Sequence, residues 1–384
     1  MKSFFWKVSL YKFLEAVNLI GIIFTLLFQK NGLNPFQISL LIGFWSATQL
    51  LLEVPMGVVA DKFPRRNVLI AAMLIVALGY VFWLKGGFLF YALGMVLWGV
   101  KNALTSGTFD SFVYDELKSI KQEEDYGKIS GRIEGVTQIG FMISAAIGGL
   151  LAQFNFNWVI IASVISSILA AFVLFTTKSV LPFKSTGEVK YFSILKGAFR
   201  EIKANTTLLF IIIFISLAFG ISGAADEFWP LIFNLIGGNT AIAGALMALE
   251  FGAFALAGYS FPIFEKLKFK YWHLLLVALS GILFIIFGTR GSFILLPLIF
   301  IASYLLKLAL VKFNADLQHQ IRSDQRATIL SVKALTFEII YLISLLSFGF
   351  IANKLGIMSL IYIWGGSIII LALLFRKKLA AASD

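Results

Sequence analysis

Residues 135–177 read GVTQIGFMISAAIGGLLAQFNFNWVIIASVISSILAAFVLFTT, 43 positions without a charged side chain. A hydrocarbon core about 30 Å thick takes roughly 20 apolar residues of helix. The stretch is twice that length, and Asn155 and Asn157 place a tight turn near its middle. The run is continuous and does not alternate apolar with polar, which argues against barrel strands. Two membrane-spanning helices joined by a short turn are the expectation.

Working outward, the same pattern recurs. Asn67–Leu84, Ala204–Ala225, Tyr271–Thr289 and Leu355–Phe375 are also charge-free and span-sized. With isolated charges tolerated, twelve spans are expected, near 9–29, 37–60, 67–85, 88–116, 130–153, 157–177, 207–235, 240–262, 271–289, 292–316, 327–351 and 356–375. The composition agrees: of 384 residues, 59% are hydrophobic and 14% charged, with a mean hydropathy of +0.91. A soluble domain is nearer a quarter charged. Forty Phe against seven Pro exclude a disordered chain, and the lack of Cys excludes a disulfide scaffold, a thiolate nucleophile and Cys-ligated zinc. The fold class expected is therefore an all-α integral membrane protein.

The net charge of +12 suggests nucleic acid only until the basic residues are placed. The N-terminus, the even-to-odd loops and the C-terminal tail carry 24 Lys and Arg, while the opposite loops carry Lys30, Lys85, Arg290 and Lys354. Basic loops stay on the cytoplasmic side, so both termini are expected there, in a multi-pass protein of the cell (inner) membrane. No nucleic-acid partner is expected. Glu15 interrupts the first apolar stretch and no small-residue cleavage site follows, which favours an uncleaved signal-anchor.

A six-plus-six organisation follows from the long basic stretch between spans 6 and 7: residues 1–180, a linker at 181–206, and residues 207–384. Asp61-Lys-Phe-Pro-Arg-Arg66 recurs as Glu265-Lys-Leu-Lys-Phe-Lys270, and Gly149-Leu-Leu-Ala152 as Gly349-Phe-Ile-Ala352, at nearly constant offset. Repeated halves with a site near the midplane are a transporter architecture.

Gly57-Val-Val-Ala-Asp61-Lys62-Phe63-Pro64-Arg65-Arg66, between spans 2 and 3, resembles the signature loop of the major facilitator superfamily, with Pro64 where that loop has Gly. Glu53-Val-Pro-Met-Gly57, Ser106-Gly-Thr-Phe-Asp110 with Asp115, and Arg326-Ala-Thr-Ile-Leu-Ser331 extend the resemblance toward a drug or multidrug branch. It implies twelve helices in two pseudo-symmetric six-helix halves. It also implies a cytoplasmic latch in which Gly57, Asp61, Lys62, Arg65 and Arg66 take part, Asp61 capping the N-terminus of span 11 and an arginine pairing with Asp115. The plain alternative is that the basic residues only record topology. Gly140, Ser144 and Gly148-Gly149 in span 5 suit close helix packing, and the antiporter pattern of the family, with Pro in this region, is not kept.

Charges inside spans are costly and call for pairing or function. Lys101, Asp226, Glu227, Lys307 and Glu338 fall deepest, with Glu15 and Glu53 nearer one interface. Lys101, Thr105 and Thr108 are expected on one face of span 4. Lys312 and Asp316, four apart, are expected to pair. Asp226 and Glu227 are adjacent and point about 100° apart, so only one of them can face a given cavity. Trp229-Pro230 is expected to break span 7 or to anchor it at an interface. With two His and no phosphate-binding loop, neither a metal site nor an ATP-driven pump is expected.

The expectation is a monomeric secondary transporter, not an enzyme and without cofactor, in contact with membrane lipid, that exports an amphipathic or cationic small molecule by proton coupling through one or more of Glu15, Glu53, Asp226, Glu227 and Glu338, with Lys101 and Lys307 as further cavity residues. The competing readings are an organic-anion or nutrient carrier using Lys101 and Lys307, and a non-transporting receptor or assembly factor on the same fold.

Overall fold

The computed structural model describes residues 2–177, 206–266, 272–321 and 326–382. Most of the expected linker lies outside them, as does the segment just before span 11. The described residues form fifteen α-helices and two short 3-10 turns, with no strand among them. In chain order they are α1 (Lys2–Ala16), α2 (Leu19–Lys30), α3 (Pro35–Lys62), α4 (Arg65–Trp83), α5 (Phe88–Thr105), α6 (Thr108–Ser119), α7 (Tyr126–Phe154), α8 (Phe156–Phe175), α9 (Thr206–Asp226), α10 (Trp229–Gly237), α11 (Thr240–Glu265), α12 (Trp272–Arg290), α13 (Leu296–Gln320), α14 (Arg326–Leu355) and α15 (Ser359–Ala382).

Eleven segments of the described chain are long and apolar enough to cross a membrane, and a twelfth, Ser359–Phe375, is a shorter apolar helix. Large apolar side chains such as Phe172, Leu256 and Leu374 lie bare on the helix surfaces, which suits a lipid surround. Helix ends carry local signals. Asn34 and Gln37 form a capping box at α3, with Pro35 in the first turn. Asn155 ends α7 and caps α8 through Asn157 N–H at 2.8 Å, so the turn expected inside residues 135–177 is one residue long.

Three expected spans are interrupted. Span 1 breaks at Val17–Asn18, span 4 at Ser106–Gly107 and span 7 at Glu227–Phe228. Gly107 has φ +67°, which a residue with a side chain adopts at a cost. This break corrects the face expected on span 4. Thr108 starts a new helix, and its hydroxyl donates to the Leu104 carbonyl at 2.7 Å instead of extending the Lys101 stripe. The break expected at Trp229-Pro230 in span 7 is found beside it. The chain breaks two residues earlier, and Pro230 sits in the first turn of α10, where its missing N–H costs nothing.

Backbone freed inside a membrane must find partners, and the span 1 break shows how. Ser166 of α8 donates to the Leu14 carbonyl at 2.6 Å, and Ser163 accepts from the Ile20 N–H at 2.9 Å. Asn18 caps α2 through the Gly21 N–H and donates its amide to the Tyr80 hydroxyl.

The chain divides into two compact units, residues 1–186 with 233–251, and residues 187–232 with 252–384. The division differs from a cut at the linker, because 233–251, the C-terminal part of α10 and the start of α11, groups with the first unit. Within that unit α4 packs on α5 and α8, α3 on α5, and α1 on α7 and α8; within the second, α12 packs on α13 and α15, and α9 on α14. Small residues set the closest approach. A methyl group on Gly281 of α12 would fall 2.6 Å from the Gly365 carbonyl of α15, and in lipid such contact replaces hydrophobic burial as the force between helices.

Candidate functional site

Each unit holds a cavity around charges that the membrane would otherwise penalise. In the first, Glu15 of α1 lies 2.5 Å from Lys12 on its own helix and 2.5 Å from Lys101 of α5. One carboxylate thus takes two ammoniums. The cavity beside them, about 340 Å³, is lined by polar side chains, including Gln49 and Asn102, whose amides bond at 3.1 Å. Tyr11 is fully buried on its wall, and among the described residues its hydroxyl has no hydrogen-bond partner. The same unit places Glu53 on the exposed face of α3, with the Ser106 hydroxyl 3.3 Å away.

The second unit is built differently. Phe219, Ser222, Gly223 and Asp226 of α9 and Ser303, Leu306, Lys307 and Leu310 of α13 line one cavity of about 130 Å³. Both sets follow i, i+3, i+4, i+7 spacing, one stripe on each helix. Phe254, Phe337 and Trp364 complete the wall. Lys307 holds its ammonium 5.0 Å from the centre of the Phe254 ring and acts electrostatically on Asp226. Among the described ion pairs none joins the two. Trp364 is fixed by a bond from its indole N–H to the Ser222 hydroxyl at 3.2 Å and by stacking on Phe284 at 4.1 Å. Among the described residues, the hydroxyl of Ser303, only 3% exposed, has no partner.

Asp226 and its neighbour Glu227 separate as their adjacency requires. Asp226 lines the cavity, while Glu227 accepts from the Tyr341 hydroxyl at 2.9 Å. Glu338 is partly buried on α14 and reaches Tyr341 electrostatically. Lys312 and Asp316 pair on one helix.

At the α3–α4 turn, Arg65 lies 2.7 Å from Asp115 of α6, and Arg66 donates to the Thr177 carbonyl at 2.7 Å. Asp61 and Lys62 are exposed at the end of α3, and Gly57 has open space beside it. Asp61 is expected at the N-terminus of span 11, and the residues just before α14 lie outside the described ones.

Sequence reasoning missed Tyr11, Ser303, Phe254 and Trp364. Ser303 was readable, because it lies four residues before Lys307 on one helix face. Phe254 was not, since forty Phe carry no mark of which one meets a cation.

The family model described as Major Facilitator Superfamily matches residues 13–332. An uncharacterized transporter of Buchnera aphidicola subsp. Schizaphis graminum (strain Sg) is 29% identical over 150 residues, 38% of this chain and 37% of that protein. The bacillibactin exporter of Bacillus subtilis (strain 168) is 27% identical over 131 residues, 33% of this chain and 32% of its own. The chain thus spans about a third of the length of the curated relatives it matches. Among solved structures, the nucleoside transporter NupG is similar with a TM-score of 0.82 at 15% identity, covering 98% of this chain and 99% of that one. A D-xylose–proton symporter is similar with a TM-score of 0.71 at 14% identity, covering 98% and 97%. At such identities these two likenesses concern the fold alone. The family match extends over most of the sequence: the chain belongs to the major facilitator superfamily, a family of membrane transporters and not of enzymes, and it is a multi-pass membrane protein.

Proposed function

We propose that this protein is a proton-coupled secondary transporter that exports an amphipathic, cationic small molecule by alternating access. The observation that carries the reading is the second cavity, where one carboxylate, Asp226, faces aromatic walls from Phe219, Phe254, Phe337 and Trp364. Aromatic faces attract organic cations and apolar rings alike, and a carboxylate in a membrane interior is a natural carrier of a proton. Export is supported by the local likeness to an exporter.

In this reading the twelve spans form two six-helix halves in the cell (inner) membrane, both termini are cytoplasmic, and the protein works as a monomer among membrane lipids. The α3–α4 turn is the cytoplasmic latch, with Gly57 admitting close approach, Asp61 and Lys62 presented outward, and Arg65, Arg66 and Asp115 fixing the turn. Glu15 and Lys101 brace the interrupted first span. Glu53, Glu227 and Glu338 are further carboxylates on the proton's route.

A direct test is purified protein in liposomes with a pH dye inside and ethidium as the amphipathic cation. Under an imposed pH gradient, ethidium should move against the proton flow. Ethidium movement that ignores pH and membrane potential would reject proton coupling.

A further inference from the structure

The second cavity already contains a cation. Lys307 holds its ammonium 5.0 Å from the Phe254 ring centre, on a cavity shared with Asp226 and walled by further aromatic side chains. Carboxylate plus aromatic faces is the chemistry that recognises an organic ammonium. Ser303, 3% exposed, adds a hydroxyl on the same cavity that has no partner among the described residues. No hydrogen bond joins the Lys307 ammonium to this hydroxyl on the same cavity wall, although a buried hydroxyl without a partner is costly.

We propose that Lys307 is a tethered occupant of an organic-ammonium site, and that the transported molecule is a primary or secondary amine with an aromatic or apolar group that displaces it. The proposal rests on reading this cavity as the solute site and adds the chemistry of the solute and its internal competitor. The volume, about 130 Å³, is close to that of the ~150 Å³ apolar cavity known to take up a benzene ring. An aryl-methyl amine therefore fits once the lysine side chain swings aside. Its N–H groups would meet Asp226 and the Ser303 hydroxyl, and its ring the faces of Phe254, Phe337 and Trp364. Lysine suits the part, since its ammonium sits on a flexible stem with four carbons. A tethered competitor also keeps a positive charge beside the buried Asp226 when no solute is bound, in addition to the Trp229 side chain that acts on it.

The experiment measures binding of benzylammonium to the purified full-length protein by calorimetry, with phenylacetate as the probe of similar size and opposite charge. Lys307→Gln should bind benzylammonium about tenfold more tightly than the wild type, a difference of about 1.4 kcal/mol. Lys307→Arg should stay near the wild type. Adding Asp226→Asn to Lys307→Gln should remove the gain. Adding Ser303→Ala should remove part of it for benzylammonium and none for phenyltrimethylammonium, which has no N–H to donate.

A Lys307→Gln protein that binds benzylammonium no better than wild type would overturn the proposal. So would wild-type binding of phenylacetate that Lys307→Gln abolishes, because the lysine would then be an anion anchor. On the wild type itself, benzylammonium should increase reductive methylation of Lys307, read by mass spectrometry; protection of Lys307 would count against displacement even if the variants fail to fold. The two readings fail separately. A tightened affinity without proton-linked ethidium flux would reject the coupled export and keep the tethered lysine. Coupled flux with no change in affinity would do the reverse.

Discussion

The two units solve the problem of charge in a membrane in opposite ways. In the first, Glu15 closes on Lys12 and Lys101 at 2.5 Å each, and the neighbouring wall is polar. In the second, Asp226 and Lys307 share a cavity of aromatic rings, and the ammonium rests on Phe254 instead of closing on the carboxylate. Saturated pairs hold a structure, because removing one member strands the others. A carboxylate and an ammonium that share a cavity without joining are free to exchange partners. The difference teaches that burial of a charge does not by itself mark the transport site; how completely its neighbours satisfy it is the better guide.

The comparison breaks first at Glu15. Glu15→Gln should leave two ammoniums uncompensated and destabilise the fold by about 3–5 kcal/mol, seen as a large drop in the thermal unfolding midpoint. Glu15→Gln with Lys101→Gln should recover most of that loss. If the single variant is as stable as wild type, the first network is not a brace.

Asp226→Asn should do the opposite. It should leave the unfolding midpoint nearly unchanged while lowering proton-linked ethidium flux by at least on the order of tenfold, about 1.4 kcal/mol in the barrier. A collapse of the fold would make Asp226 structural, like Glu15.

How far the sequence reached can be judged from these residues. The spans were legible because apolar length is a one-dimensional property, and so was the pairing of Lys312 with Asp316, four apart on one helix. The break at Glu227–Phe228 lies beside Pro230, which marks it in the sequence. The interruption at Val17–Asn18 was not legible: no Pro marks it, and it depends on hydroxyls of α8 nearly 150 positions away. Lys101 and Lys307 looked alike along the chain. Only the third dimension puts a carboxylate against one and an aromatic ring beneath the other.

Smaller effects sharpen the same contrast. Gly365→Val should push α15 off α12, where added bulk at Gly365 meets the Gly281 carbonyl, costing about 1–3 kcal/mol in stability. Because α15 carries Trp364, flux should fall with it, whereas Gly79→Val at the α4–α5 contact, where bulk would meet the Gly94 carbonyl at 3.1 Å, should lower stability with less effect on flux. Ser166→Ala should cost least, about 0.6 kcal/mol for one hydrogen bond between helices, since it frees only the Leu14 carbonyl at the span 1 break. A change in flux with unchanged stability there would give the break a role beyond bracing.

The most direct measurement sets the two networks side by side. Ethidium-driven proton movement is recorded in liposomes carrying wild type, Asp226→Asn, or Glu15→Gln with Lys101→Gln, at matched amounts of folded protein. The predicted result is that the doubly substituted protein keeps flux near the wild-type level and Asp226→Asn loses it. Loss of flux in the double variant with Asp226→Asn active would place the transport chemistry in the first unit and contradict the division of labour between the two.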